Sequence, residues 1–237
     1  MADTLRDATI ADLDDMTEIM CSAMPMDPAW NYRFPRRKEF PEDHWRCVRE
    51  DIEKILDPGS RSHRSVKVIT IPRTNGKGDR AVALAVWELP FLGHSEISSN
   101  NDCTTRRDAD LAHIAAFRSV LVASVNKYFD TPYGDSQVQL YHLATHPDYQ
   151  RHGAGTRLLN WGLELAMREK KPITLFGSPM GTKLYTELGF RLLDYVTVQV
   201  DGEEEKNRIL ISEFFTAKVT NSLLKIVGCP GPRVFKY

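Results

Sequence analysis

The stretch Leu143–Leu159, LATHPDYQRHGAGTRLL, constrains this chain more than any other. An apolar, strand-like run ends at His146-Pro147, a short loop follows, and Gly153-Ala154-Gly155 opens directly into an amphipathic helix. A strand, a tight turn and a helix in that order belong to a layered fold of sheet and helices. Glycines at the mouth of a helix permit positive φ and close approach to the backbone. The first helical turn presents N–H groups without intrahelical partners and the positive end of the helix dipole. Phosphate is the natural guest there, and Arg151 and Thr156 add a charge and a hydroxyl. From the glycines alone, a plain strand-to-helix turn is an equal alternative. Spacing excludes two other phosphate motifs: there is no Gly-Lys-Ser/Thr for a Walker A loop and no third glycine for a dinucleotide fingerprint.

The flanking segments supply the layers. Period-two and apolar runs predict strands at Thr4–Ala8, Val66–Ile71, Ala81–Leu89, Gln137–Thr145, Ile173–Gly177, Arg191–Val200 and Ile209–Val219. Helical spacing predicts helices after Thr9, over Trp45–Leu56, over Leu111–Phe129, over Gly153–Lys170 and over Gly181–Leu188. Pro25–Phe40, rich in proline and aromatics, reads as irregular. Pro90–Asp108 reads as a mobile polar loop, Asp201–Lys206 as a solvated acidic turn and residues 220–237 as a tail. The expectation is one α/β (α+β) domain over residues 1–237, a mixed, mostly antiparallel sheet of six to seven strands flanked by helices.

Charge and cysteine content narrow the chemistry. The 237 residues carry 31 Lys+Arg against 32 Asp+Glu, a formal charge of −1, so no basic surplus attracts nucleic acid or an anionic membrane. Four cysteines, Cys21, Cys47, Cys103 and Cys229, show no metal-ligand spacing and read as reduced thiols. With an acidic first stretch and no long apolar run, a cytoplasmic protein is expected, with no metal, no nucleic-acid partner and no membrane.

Gln150-Arg151-His152-Gly153-Ala154-Gly155 resembles the Q/R-x-x-G-x-G/A signature of the GNAT acyltransferase superfamily, and Leu143–Pro147 is similar to the strand leading into it. Leu184-Tyr185-Thr186-Glu187-Leu188-Gly189-Phe190 resembles the family's L-Y-x-x-x-G-F segment, at the right separation. The resemblance covers about fifty residues. It implies a GNAT-like fold with a splayed central strand pair, and transfer of an acetyl group from acetyl-CoA to an amine. The backbone of Leu143, Ala144 and Thr145 would pair with the pantetheine arm. Gln150, Arg151, His152, Gly153, Ala154, Gly155 and Thr156 would cradle the pyrophosphate. Tyr185 would protonate the leaving thiolate. Ser178 stands where many relatives carry an asparagine near the cofactor.

The acceptor side is less specified. Strand alternation puts Gln139, Tyr141, Leu143 and Thr145 on one face and Leu140, His142 and Ala144 on the other, with His142 toward the packed side. Gln139 and Tyr141 occupy the positions of paired histidines in the arylalkylamine branch, and neither is a good base at neutral pH. Glu88 is the candidate base, His146 a residue at the cofactor edge, and a water relay the alternative to both. Asp27, Trp30, Tyr32 and Phe34 would bind an amine by charge and cation–π contact, or else pack their loop onto the core. The expected acceptor is a small-molecule amine, and the expected assembly a monomer or homodimer. The alternatives are a protein or peptide amine, a non-catalytic acyl-CoA sensor, and a nucleotide-binding protein.

Overall fold

Ala81–Trp87 is buried without interruption, which requires cover on both faces of its strand. The computed structural model, which describes residues 3–59, 63–74, 76, 78–92, 103, 105–200, 202–203 and, as backbone, 209–217, shows how that cover is built. The strands are β1 (Thr4–Asp7), β2 (Arg64–Pro72), β3 (Asp79–Glu88), β4 (Val138–Thr145), β5 (Ile173–Gly177), β6 (Arg191–Val198) and β7 (Ile209–Ala217). They form one seven-stranded sheet in the order β1-β2-β3-β4-β5-β7-β6. Every pairing is antiparallel except β4 with β5.

The helices are α1 (Leu13–Ala23), α2 (Pro28–Arg33), α3 (Pro41–Leu56), α4 (Leu111–Val125), α5 (Thr131–Tyr133), α6 (Ala154–Arg168) and α7 (Thr182–Glu187). On one face, Ala83, Ala85 and Trp87 of β3 pack with Leu158, Leu159 and Leu163 of α6. On the other, Leu84 and Val86 pack with Met16 and Ile19 of α1 and Ile52 of α3. One sheet with helices packed on both faces agrees with the expected α/β class.

Four expectations need correction. Pro25–Phe40 is not irregular: Pro25 lies in the 3-10 turn Met24–Met26, and Pro28 is the first residue of α2. Proline at that position loses an N–H that had no partner anyway, and the Asp27 carboxylate caps the helix by accepting the Ala29 N–H at 3.0 Å. Cys47 and Cys103 form a disulfide with Cα atoms 5.5 Å apart, leaving Cys21 as the free thiol among the described residues. Cys229 lies outside them.

The third correction concerns Pro90–Asp108. Residues 93–102 and 104 lie outside the described part, but the end of the segment is clamped. Asp108 is fully buried, lies 2.6 Å from His44 Nδ1 and accepts two bonds from Arg106 at 2.9 and 2.7 Å. The Arg107 side chain holds Asp43 at 2.7 Å. Fourth, Glu203 of the acidic turn is not merely solvated. It accepts the Tyr32 hydroxyl at 2.9 Å and meets His113 Nε2 at 2.7 Å. Asp201, Glu204–Lys206 and residues 218–237 lie outside the described residues.

Gly162 sets the distance between α6 and the sheet. A Cβ there would lie 2.1 Å from Cη2 of Trp87, whose ring is fully buried. A Gly-to-Ala change in a helix ordinarily gains about 1 kcal/mol, while overpacking a core costs about 1–3 kcal/mol. With an immobile ring as the obstacle, the second effect wins. Gly162→Ala is expected to lower the urea midpoint, and Trp87→Phe in the same chain to restore part of the loss.

Candidate active site

The parallel β4–β5 ladder runs only from Val138 to Leu140, opposite Ile173 to Leu175. Both strands continue, β4 to Thr145 and β5 to Gly177, without pairing to each other. The β5-facing edge of Tyr141–Thr145 is thus a strand edge inside a sheet, the arrangement that accepts an extended guest by backbone hydrogen bonding.

On its other side β4 keeps its partner but slips by one residue. Val86 pairs with His142 and Trp87 with Leu140, so Tyr141 is left over as a bulge. A bulge breaks the two-residue alternation. Leu140 and Leu143 therefore both join the α6 side of the core, opposite Trp87 and Ala85. Gln139, His142 and Ala144 pair with Glu88, Val86 and Leu84 and share the α1–α3 face. The simple alternation expected from sequence is wrong here: Gln139 changes sides to join His142, and Tyr141 leaves its expected row to stand 43% exposed.

Beyond Thr145, His146 caps the 3-10 turn Pro147–Tyr149, its Nδ1 accepting the Asp148 N–H at 3.3 Å. Gln150 Nε2 donates to the Thr145 carbonyl at 3.1 Å, closing the loop on the strand end, and lies 3.6 Å from Met26 Sδ. Arg151 and Gly153 have φ of +65° and +85°. This left-handed backbone turns the chain sharply into α6, whose N-terminus carries no side-chain cap and no acidic residue in its first turn. Arg151 and His152 are exposed, and Arg151 has no ion-pair partner among the described residues. Uncapped N–H groups beside an unpaired cation suit a diphosphate.

Tyr185 is carried by α7 close to this loop. A Cβ on Gly155 would touch Leu184 at 3.4 Å, and one on Gly181 would strike the Tyr185 ring at 2.4 Å. Gly181 thus lets the ring fold back on the start of α7, where it is 6% exposed and meets Phe190 edge-on at 6.0 Å. Burial, and secondarily the negative charge of Asp27, push its hydroxyl pKa well up. Ser178 precedes α7, and its carbonyl accepts the Gly181 N–H at 2.9 Å.

The acceptor candidates fall into two groups. Trp30 and Phe34 are core residues, 7% and 6% exposed. Trp30 Nε1 donates to His44 Nε2 at 3.3 Å, which leaves the His44 proton on Nδ1, aimed at Asp108. Burial pushes the Asp108 carboxyl up, but the bonds from His44 and Arg106 outweigh it and hold the pKa well below the usual range. Tyr32 stacks on His113 at 3.8 Å. These three rings pack rather than line an open pocket. Asp27 is different: burial raises its pKa against the pull of its Ala29 bond and of Arg33, and its charge reaches Tyr185. Glu88 is neither free nor solvated, since both Nε and Nη2 of Arg64 meet its Oε1 at 2.7 Å.

Sequence reading put Gln139 on the wrong face and passed over Arg33 and Arg64. The bulge has no signal in composition or periodicity. Arg33 did have one, since Trp30 and Phe34 bracket it at helical and adjacent spacing. Burial, then Arg33 and Arg64, push His142 down to about 4, so its imidazole is neutral at physiological pH. The Tyr141 ring lies 4.4 Å from that of His142.

A mostly antiparallel sheet with a parted strand pair, an uncapped helix start and a buried tyrosine beside it together mark the candidate site. Residues 113–192 match the model of the acetyltransferase (GNAT) domain. A curated acetyltransferase of Stachybotrys chartarum is 26% identical over 209 residues, covering 85% of this chain and 86% of that one. A putative arylalkylamine N-acetyltransferase 7 of the mosquito Aedes aegypti superposes with a TM-score of 0.60 at 16% identity, over 92% of this chain and 88% of that one. PaiA N-acetyltransferase of Thermoplasma acidophilum, solved with coenzyme A, gives a TM-score of 0.53 at 12% identity, over 92% and 99%. Residues 113–192 thus match a GNAT acetyltransferase domain, and the chain is similar to acetyltransferases over most of its length. Among the described residues no helix is long and apolar enough to cross a membrane, and no group of three His, Cys, Asp or Glu is placed to hold a metal.

His142 makes the pH dependence of stability predictable. In the unfolded chain its imidazole takes a proton near 6.5, whereas the folded protein resists until about 4. Between those values the unfolded state binds more protons, so stability falls as pH falls. Thermal unfolding is expected to lose Tm across that window more steeply in the wild type than in His142→Asn.

Proposed function

We propose that the protein transfers the acetyl group of acetyl-CoA to the primary amine of a small molecule by direct attack. The observation that carries this reading is the parting of β4 from β5 at Leu140, with the uncapped start of α6 and the Tyr185 ring at the same end of the sheet. Acetyl-CoA supplies a thioester carbonyl to the site. Leu143, Ala144 and Thr145 offer backbone pairing to its arm, and Arg151 through Thr156 offer N–H groups and a cation to its diphosphate. Gln150 shapes that loop through Thr145, and the Ser178 carbonyl accepts the Gly181 N–H at the start of the Tyr185 helix.

The amine nitrogen forms a bond to the carbonyl carbon as the carbon–sulfur bond breaks. Backbone N–H groups of the parted strand stabilise the oxyanion. The Tyr185 hydroxyl gives its proton to sulfur and regains one from solvent. Its raised pKa keeps it protonated at neutral pH, and the same desolvation makes a thiolate a stronger base. Glu88 is held by Arg64, and His142 is a weak base, so the proton lost by the amine leaves through water.

Thiol release is expected with acetyl-CoA and small primary amines, and less with peptide N-termini. Tyr185→Phe should lower kcat by about 10²-fold or more while acetyl-CoA KM changes little; an unchanged kcat removes Tyr185 from the proton transfer. Gly153→Val forces a branched side chain into left-handed backbone, a strain of about 1–2 kcal/mol. Acetyl-CoA KM should rise roughly tenfold, and normal KM would sink the phosphate-cradle assignment.

A further inference from the structure

Arg33 is the last residue of α2, with its guanidinium carbon 4.0 Å from the Phe117 ring centroid, 5.2 Å from Trp30 and 5.3 Å from Phe34. Its Nε donates to the Ala29 carbonyl at 3.1 Å. Among the described residues no carboxylate lies within ion-pair distance of it, and its two terminal amino groups have no hydrogen-bond acceptor. The other arginines of this region are occupied. Arg64 meets Glu88 at 2.7 Å, Arg106 meets Asp108 at 2.7 Å and Arg107 meets Asp43 at 2.7 Å. Burial lowers the Arg33 pKa to about 10, which still leaves it charged at neutral pH. A largely desolvated cation with rings for neighbours, offset chiefly by the charge of Asp27 at the other end of α2, is costly to keep unless a nearer anion visits it.

Its position points to which anion. At the near end of the same segment, Met26 lies against Gln150 of the cofactor loop, and the charge of Asp27 reaches Tyr185. At the far end, the charge of Arg33 reaches His142 and Tyr141 at the bulge. Arg33 lies six steps along the chain from the N-cap Asp27, about 9 Å along the helix axis, and the space beside α2 is negative at the tyrosine end and positive at the other. A zwitterionic acceptor fits that polarity, with its amine toward Tyr185 and its anion toward Arg33. The planar guanidinium, fixed by three rings and by Ala29, presents a fork that matches a carboxylate.

We infer that Arg33 binds the carboxylate of the acceptor, so that the acceptor is an amino acid or another small molecule bearing both a primary amine and a carboxylate. The inference rests on the acetyl-transfer reading above and adds the acceptor's second functional group.

The test compares amino acids with their matched amino alcohols, which keep the amine and side chain but lack the charge. For the preferred side chain the wild type is expected to show kcat/KM at least tenfold higher for the amino acid. In Arg33→Gln that ratio should fall close to one, through a higher KM for the amino acid. Arg33→Lys should recover part of it, since the charge returns without the fork. Equal use of acid and alcohol by the wild type overturns the inference, as does a ratio that survives in Arg33→Gln. Calorimetric titration of N-acetyl amino acids against N-acetyl amino alcohols gives a reading independent of turnover and of the variants' folding. Selective binding of the carboxylate forms supports the site, and equal or absent binding of both overturns it. If these probes separate as expected but no amine releases thiol, it is the transfer reading that fails.

Discussion

The slip of one residue between β3 and β4 governs the rest of this structure. It leaves Tyr141 unpaired at the level where β4 loses β5, so one strand changes both its facing and its partnership within a residue. A bulge raises local twist, and a strand twisted away from a parallel neighbour cannot hold that ladder further. The opening exists because the strand is held elsewhere: by three residue pairs with β5 at its start, and by the antiparallel register with β3 out to Thr145. Trp87, wedged against Gly162, fixes the α6 side of the gap, and the α1–α3 layer fixes the other.

The wall facing the opening is built from distant parts of the chain. Trp30, His44, Asp108 and Arg106 form a buried chain of hydrogen bonds, and the Cys47–Cys103 disulfide ties α3 to the same returning segment. The Asp110 N–H donates to the Arg33 carbonyl at 3.0 Å, so the clamp reaches the end of α2. Farther out, His113 joins the Tyr32 carbonyl and Glu203, each at 2.7 Å. Its pKa is raised because those bonds outweigh the burial that opposes them. Packing on α4 is lopsided by comparison, with Phe117 and Ser124 buried while Leu111 and Val122 stand in solvent.

How legible all this was depended on range. The strand, loop and helix at Leu143–Leu159 and the Leu184–Phe190 segment carry local backbone demands, glycines above all, and local demands leave marks in sequence. The seven strands followed from apolar runs for the same reason. Facing on β4 did not, because a bulge is a property of a pair of strands. The disulfide joins cysteines 56 residues apart, and no spacing rule announces it. Trp30 and Phe34 looked like ligands for a cation and are: the cation is Arg33 of the same helix, and the rings are packed rather than open. Proline content hid α2, although Asp27-Pro28 is a good start for a helix. Glu88 looked free because its partner, Arg64, lies on the neighbouring strand.

The close approach of Leu184 to Gly155, where a Cβ would sit 3.4 Å from it, has a consequence for how such a protein can diversify. It sets the loop before α6 close to the helix of Tyr185, so the parts proposed for the donor and for the departing sulfur lie within one unbroken stretch from β4 to α7. The parts assigned to the acceptor come from a separate stretch, from α1 to the start of α4, and meet the first mainly along β3 and β4. Two contiguous blocks with a common seam can be inherited separately. A new acceptor wall can be fitted to an old donor block where the links across the seam, Asp27 to Tyr185 and Met26 to Gln150, are kept.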